Sequence, residues 1–376
     1  MTATPDSLCS QSIGELFSSA ISIKILLLLS LKGQHAAEFC TQTGHAAAAV
    51  LPKIQQLEER ALVSRTNRSY TLTPLGGVLA KKIAALFHIE AGDLAVESPG
   101  DEMSSAVLDL YARHAREINL IVRSGIRTRI ALALLNGVTE RDLLREEVGC
   151  RSSNFRTNIR TMIDAGMVSE ETEGVRLTPQ GSRIASAVAD ISELYCLILK
   201  HRDFWRDHEL QNLPDFALDS LGELIESEMI QDSPLDYFRT YDHYLGIIAG
   251  ARHIHGISSM TNPGVADAIG AKAVAGVPVE LVISPELALH LHREPYKKKV
   301  ESLFTYPHFQ FYVTREPLPL GLTVTDAYLS MKLFFVGTTS YDLQRGFFST
   351  SPRARAWGER LFDHYKKRSI PLEEYL

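Results

Sequence analysis

Between positions 151 and 160 the chain reads RSSNFRTNIR. Its outward-capable side chains, Arg151, Ser152, Ser153, Asn154, Arg156, Thr157 and Arg160, are the types that recognise nucleic acid. An arginine can donate two parallel hydrogen bonds to the edge of a guanine, and asparagine can pair in the same two-point way with an adenine. Serine and threonine reach bases or phosphates. No acid interrupts the run before Asp164. The competing reading is a solvated polar helix face with no partner. Arg65 and Arg68, in SRTNRS, form a smaller basic group that would meet phosphate.

A third group is His255, Ser258, Ser259, Thr261 and Asn262, gathered at the end of the apolar run HIHGISSM. Thr323, Thr325 and Asp326 end another such run. The carboxyl ends of strands are where ligands sit in α/β sheets, so both groups are read as contacts for a small-molecule effector. Their competing role is cap and turn chemistry, because Asn262-Pro263-Gly264 is a strong turn signal. His253 and His255 share one strand face and are metal-binding types, but no further ligand is in view and no metal site is read.

The elements that must position these residues are written twice. LVSRTNRSYTLTPLGGVLA (62–80) and MVSEETEGVRLTPQGSRIA (167–185) align without a gap, Val63 falling on Val168 and Gly76 on Gly181, an offset of 105. Upstream, Ile25, Gly44 and Ile54 fall on Ile130, Gly149 and Ile159 at the same offset. Two copies make a duplicated domain and not a solenoid. In the second copy a helix over 126–137 is followed by a short helix capped by Thr139 and a third helix over 151–166. A hairpin turning near Glu173-Gly174 and a last helix entered through Thr178-Pro179 complete it. Helix, helix–turn–helix and a two-stranded wing make the winged helix-turn-helix arrangement, whose third helix enters the major groove.

The copies differ where they would touch a partner. The third helix of the first copy, HAAAAVLPKIQQLEER, offers alanines at the reading positions, and Pro52 is expected to bend or break it. Its hairpin is basic, whereas that of the second copy carries Glu170, Glu171 and Glu173. The second copy is therefore expected to read DNA with its helix, and the first to pack, dimerise or touch the backbone with its wing.

An acidic, turn-rich stretch at 93–105 marks a boundary, with an amphipathic helix over 106–122 after it. Ile184, Val188, Ile191, Tyr195 and Ile198 then fall at heptad-like steps. Such a seam can zip two subunits into a homodimer or pack on its own chain. From about 205 the texture changes to strand, helix, strand and three further strands, closed by a helix carrying Trp357, Leu361 and Tyr365, which indicates an α/β sheet with mixed pairing. The expected domains are 1–92, 106–200 and 205–376.

A formal net charge of −6 over 376 residues confines any nucleic-acid binding to a local basic face. Cys9, Cys40, Cys150 and Cys196 form no C-x-x-C pair and fit no zinc spacing, so a reduced setting is expected. The longest apolar run, IKILLLLSL, is too short to span a bilayer. A cytoplasmic protein with no membrane partner is expected.

The LTP.G phrase closing each wing resembles many small archaeal and bacterial winged-helix regulators. From 203 to 368 the resemblance narrows. DFWRDHELQNLPDFALDSLGEL, HGISSMTNPG, GVPVELVISPE, LGLTVTDAYLSMKLFF and WGERLFDHYKK together look like the C-terminal domain of archaeal winged-helix regulators of the methanogenesis-regulator (filament regulator) type. The LPKIQQLEERALV run of the first copy is also similar to that family. The resemblance implies a transcription factor with a sensory C-terminal domain. The strand–helix–strand pattern also resembles half of a phospholipase D-like domain, whose chemistry needs H-x-K and a following Asp. The H-x-K at His364–Lys366 has Pro371 where that Asp should stand. GISSM is no nucleophile elbow, and neither H-E-x-x-H nor a phosphate loop occurs. No enzymatic activity and no cofactor are expected.

The fold class read from the sequence is thus an α+β and α/β multidomain protein, two tandem winged helix-turn-helix domains followed by a mixed-sheet α/β domain. The function read is that of a dimeric transcriptional regulator, with double-stranded DNA and a small effector as partners. The alternative is a protein-docking or scaffold module that uses the winged helices on proteins.

Overall fold

The computed structural model describes residues 13–89 and 101–375. The chain divides into two compact units, Met1–Arg202 and Asp203–Leu376.

In the first unit the first copy runs α1 (Ala20–Leu29), a two-residue strand β1 (Gln34–His35), α2 (Ala36–Thr43) and α3 (Ala47–Glu59). The hairpin β2 (Val63–Thr66) and β3 (Ser69–Leu72) and the helix α4 (Pro74–Leu86) follow. A connecting helix α5 spans Asp101–Val122. The second copy runs α6 (Gly125–Leu135), α7 (Arg141–Val148), α8 (Ser152–Asp164), β4 (Val168–Glu171), β5 (Gly174–Leu177) and α9 (Pro179–Lys200). Apart from β1, every element starts 105 residues before its counterpart, Ala20 before Gly125 through Pro74 before Pro179.

The repeated phrase is legible as geometry. Thr73 accepts from the Gly76 amide through its hydroxyl while its Oγ donates to the Ala61 carbonyl. Thr178 does the same with Gly181 and Gly166. Pro74 and Pro179 occupy the first turn, where no amide hydrogen is needed. A Cβ at Gly76 would lie 1.8 Å from the Leu62 carbonyl oxygen, and one at Gly181 would lie 2.0 Å from that of Met167. Only glycine lets the hairpin's entry strand pass this close to the helix. Ser19 and Ser124 likewise cap α1 and α6.

Two expectations are corrected, and an open alternative is decided. Pro52 neither breaks nor ends α3, which continues to Glu59. The carbonyl it deprives belongs to Ala48, on the exposed side of the helix, where water can serve it. Thr139 does not cap α7; the cap position is Glu140, without a side-chain bond, and the Thr139 carbonyl instead accepts from the Val175 amide. The heptad-like residues Ile184, Val188, Ile191, Tyr195 and Ile198 are all fully buried within the chain, where α9 packs against α4 and α6. The seam is used internally and is not free to join a second subunit. Of the boundary expected at 93–105, residues 93–100 lie outside the described residues, and the chain is already helical from Asp101. Cys9 also lies outside them.

The second unit is built on an eight-stranded mixed sheet. Its strands are β6 (Glu228–Gln231), β7 (Ile254–Ser258), β8 (Val279–Ile283), β9 (Phe309–Thr314), β10 (Leu320–Thr325), β11 (Leu329–Leu333), β12 (Arg345–Ser349) and β13 (Ser369–Pro371), in the order β13-β9-β8-β7-β10-β11-β12-β6. β7, β8 and β9 are parallel, and the other pairs are antiparallel. The parallel trio needs helical crossovers, supplied by α11 (Pro263–Val274), then by α12 (Pro285–Leu291) and α13 (Lys297–Leu303), with α10 (Arg239–Gly250) preceding β7. One sheet face, with Ile254, Val279, Ile283, Phe309 and Val313, joins these helices in a single apolar core. The other face is covered by α14 (Pro352–Lys366), whose Trp357, Leu361 and Tyr365 are buried as expected. Among the described residues no helix is long and apolar enough to cross a membrane.

Candidate functional site

The outward face of α8 is as polar as its sequence suggests. Arg151, Ser152, Ser153, Asn154, Arg156 and Thr157 are exposed, while Phe155, Ile159 and Met162 anchor the helix inward. Arg129 from α6 donates to the Val148 carbonyl, and Arg127 holds Asn158, fixing the turn before α8 and the helix itself to the frame. Thr157 donates to the Ser153 carbonyl one turn back. Arg160 is not free: its Nε lies 3.0 Å from the Asp164 carboxylate, an exposed pair of small intrinsic worth that a competing anion can open.

The hairpin acids are also engaged. Arg141 at the start of α7 pairs with Glu170 at 2.7 Å, and Arg176 on β5 pairs with Glu171 at 2.7 Å. The hairpin is thus less repulsive toward phosphate than its composition implies. In the first copy the corresponding helix face is apolar, with Ala46, Ala47, Ala48, Ala49, Leu51 and Pro52 exposed. Its hairpin carries exposed Arg65 and Arg68; the Arg65 guanidinium lies over the Tyr70 ring at 5.6 Å, and the Arg68 carbonyl meets the His35 ring.

In the second unit the residues grouped from sequence separate onto two faces. Ser258, Thr261, Asn262 and Thr323 border a cavity of about 180 Å³ between the sheet and helices α10, α11 and α13. Its walls are apolar, including Ile269, Leu281, Leu291, Val300 and Phe311, and one end is polar, with Tyr244, Lys332 and Tyr341. Asn262 is chiefly a cap: its side chain accepts from the Val265 amide. Thr323 shares a hydrogen bond with the Tyr244 hydroxyl, and Ser259 donates to that of Tyr341. Burial raises both tyrosine hydroxyls above their ordinary pKa and lowers the Lys332 ammonium, whose Nζ donates to the Leu343 carbonyl.

His255, Ser259 and Asp326 do not line this cavity. Strand alternation turns His255 to the α14 side, where its Nδ1 lies 2.7 Å from Glu359. Asp326 holds Arg252 by a side-chain and a backbone hydrogen bond, and these keep its carboxyl below its usual range. His253 lies with its Nε2 3.5 Å from the same Glu359. Sequence reasoning missed Tyr244, Lys332, Tyr341 and Glu359, because no local pattern announces residues that only strand pairing and the closing helix bring together.

Beside Tyr341 a buried polar network ties the sheet together. Asp342 bonds His208 at 3.1 Å and Arg345 at 2.6 Å, and Arg345 reaches Asp207. Burial alone would raise the Asp342 carboxyl, but the bonds from His208 and Arg345 outweigh it and hold the pKa down at about 2.

Comparison with known proteins places these units beside regulators. The family model for the N-terminal domain of methanogenesis regulatory protein FilR1 matches residues 10–89 and 115–195, segments that begin 105 residues apart. The model for the middle domain of the same protein matches residues 237–368, so the part resembling a C-terminal domain corresponds to a middle one. The chain is 24% identical over 262 residues to methanogenesis regulatory protein FilR1 of Methanothrix harundinacea (strain 6Ac), an alignment covering 69% of this chain and 58% of that protein. The chain thus spans less than two thirds of this relative's length. These matches support a regulator family, and it is one not known for enzymatic activity. Among solved structures, TrmBL2, an archaeal chromatin protein with a novel mode of DNA binding, is 12% identical with a TM-score of 0.32, covering 70% of this chain and 98% of that one. Nuc from Salmonella typhimurium, a phospholipase D family member, is 14% identical with a TM-score of 0.31, covering 39% and 98%. Superpositions this loose carry no information about activity.

Proposed function

We propose that the chain is a DNA-binding transcriptional regulator of the methanogenesis-regulator kind, built from two tandem winged helix-turn-helix domains and a third domain that senses a small molecule. The observation that carries this reading is the outward face of α8: six exposed polar side chains, two of them arginines, ordered at the N-terminal end of the third helix of a helix–turn–helix–hairpin frame. That end of the recognition helix is the one whose side chains reach base edges. Arg151, Arg156 and Asn154 would read bases, Ser152, Ser153 and Thr157 would hold bases or phosphates, and Arg160 would exchange Asp164 for phosphate. Arg65 and Arg68 of the first hairpin would add backbone contacts. The cavity between β7, β10 and α11, with Ser258, Thr261 and Thr323 at its polar end, would take a small apolar effector with a polar head. A homodimer acting in the cytoplasm remains part of this reading, joined through a surface other than α9.

The test is selection of genomic fragments on the full chain beside an Arg151→Ala/Arg156→Ala variant. The wild type should enrich a defined site, with affinity falling steeply as salt rises. The variant should lose on the order of 10- to 100-fold per lost bidentate contact. Equal enrichment by both proteins would remove α8 from the interface.

A second reading rests on a different observation, the exposed apolar face of α3. Alanines, Leu51 and Pro52 suit a protein partner, and the first copy would then dock protein while the second reads DNA. Cross-linking from Leu51→Cys to a captured polypeptide, insensitive to salt, is its expected sign.

A further inference from the structure

We propose that His253, His255 and Glu359 form a binding site for one divalent transition-metal ion, with zinc the ion whose preferences they fit best. His253 stands just before β7 and His255 on it, two residues apart and so on one side of the sheet. The helix α14 covers that side and brings Glu359 down between them. His255 Nδ1 lies 2.7 Å from Glu359 Oε2, and His253 Nε2 lies 3.5 Å from Glu359 Oε1. The three donor atoms all lie within 4.8 Å of one another.

The geometry decides between two chemistries. A simple histidine–carboxylate hydrogen bond needs one imidazole. Here each oxygen of one carboxylate faces its own imidazole nitrogen, and the two rings are 5.1 Å apart at their centroids. A tetrahedral ion holding nitrogen and oxygen ligands at roughly 2.0–2.2 Å separates its donor atoms by about 3.3–3.5 Å. The His253 Nε2–Oε1 distance matches that spacing and the His255 Nδ1–Oε2 distance is shorter, so a rotation of the Glu359 carboxylate that turns one oxygen to both imidazoles completes the donor set. The His255 ring is stacked on buried Phe362, centroids 4.6 Å apart and planes 5° apart, which fixes the direction of its Nδ1.

Donor type selects the ion. Two imidazoles and one carboxylate make a borderline set that suits zinc and its neighbours, whereas calcium and magnesium favour all-oxygen cages. As a carboxylate, Glu359 would offset one charge of the ion, and both imidazoles would bind as neutral rings. Each of the three side chains is about a third exposed, which leaves a fourth position open to water or an outside ligand. The site lies on the α14 side of the sheet, opposite the cavity, and it does not rest on the DNA-binding reading.

Binding would tie β7 to α14, elements that the chain joins only through about a hundred intervening residues. The experiment uses the full chain stripped with chelator, titrated with zinc against a chromophoric chelator and, in parallel, with cobalt followed by visible absorption. The variants are His253→Ala, Glu359→Ala and Glu359→Gln, the last keeping the side-chain volume and a hydrogen bond to His255. His290→Ala controls for adventitious surface histidines. Wild type and His290→Ala should bind one equivalent that the site variants bind on the order of tenfold more weakly or lose. Cobalt should give the ligand-field bands of a four-coordinate nitrogen–oxygen site only in the first two. Unchanged zinc affinity and cobalt spectrum in Glu359→Gln and His253→Ala would overturn the proposal, as would a wild type that binds no equivalent more tightly than they do.

Discussion

A single carboxylate, Asp342, shows how much one residue can decide. Its side chain is nearly inaccessible; His208 and the Arg345 guanidinium both bond its Oδ2, and the Gln344 and Arg345 amides donate to its Oδ1. A carboxyl whose folded-state pKa is depressed stabilises the fold above its unfolded value and loses that contribution as pH falls through the folded one. For Asp342 the window runs from the ordinary 3.8 down to about 2. Across it the second unit should lose on the order of 2 kcal/mol. Asp342→Asn should cost roughly 3–5 kcal/mol at neutral pH, because Arg345 is left without its closest counter-charge. Urea denaturation at pH 7 and pH 2.5 measures both effects, and a variant as acid-sensitive as the wild type would show that another group carries the dependence. At this scale sequence reading recovers residues by type but not by partner. Arg151 to Thr157 could be named because they are consecutive, and one helix presents them. Glu359 could not, because its relation to His253 and His255 exists only after β7 and α14 have met.

At the scale of elements the repeated LTP.G phrase makes a sharper prediction. Gly181→Ala sets a Cβ 2.0 Å from the Met167 carbonyl, and Gly76→Ala sets one 1.8 Å from that of Leu62. Backbone cannot yield as a side chain would, so each should destabilise the first unit by about 3 kcal/mol, at the upper end of ordinary overpacking costs. Gly77→Ala, one residue away in the same helix and with nothing within 4 Å of its Cβ, should instead stabilise by about 0.5–1 kcal/mol. Thermal melts of the three variants check this, and a neutral Gly76→Ala would refute the account given of the phrase. The repeat was legible because its residue types answer local demands of cap, turn and close approach. The sequence leaves the partner of the α9 seam open for an equally physical reason. Steps of three and four mark a face that is buried, and they are silent about whether another chain or the same one buries it. Of the sheet, β7 to β11 could be anticipated from apolar runs bounded by turn residues. The flanking β6 and β13 are four and three residues long, too short for alternation to stand out.

The whole molecule comprises two compact units meeting at Arg202 and Asp203 in sequence. Each has its own core, so calorimetry of the full chain should resolve two transitions, and residues 1–202 alone should reproduce one of them. A single transition whose calorimetric and van't Hoff enthalpies agree for all 376 residues would mean that the units fold as one. If the metal and effector sites lie in the second unit and the DNA face in the first, ligand-dependent promoter binding requires energy to pass between them. Its size is bounded by each ligand's differential affinity for the two states of the regulator.

The constant interval of 105 residues has one more consequence. The caps at Ser19 and Ser124 and at Thr73 and Thr178, the turn glycines Gly44 and Gly149, and the close contacts at Gly76 and Gly181 recur at matching positions in both copies, while the side chains the third helix shows to solvent differ almost completely. The frame is therefore a standard fitting and the helix an interchangeable part. Residues 150–165 could be grafted in place of 45–60 with the inward positions in register, Phe155, Ile159 and Met162 falling where Val50, Ile54 and Leu57 stand. Such a chimera would carry two reading faces on one chain, and a lineage that once duplicated the gene would have had the same exchange within reach by recombination alone.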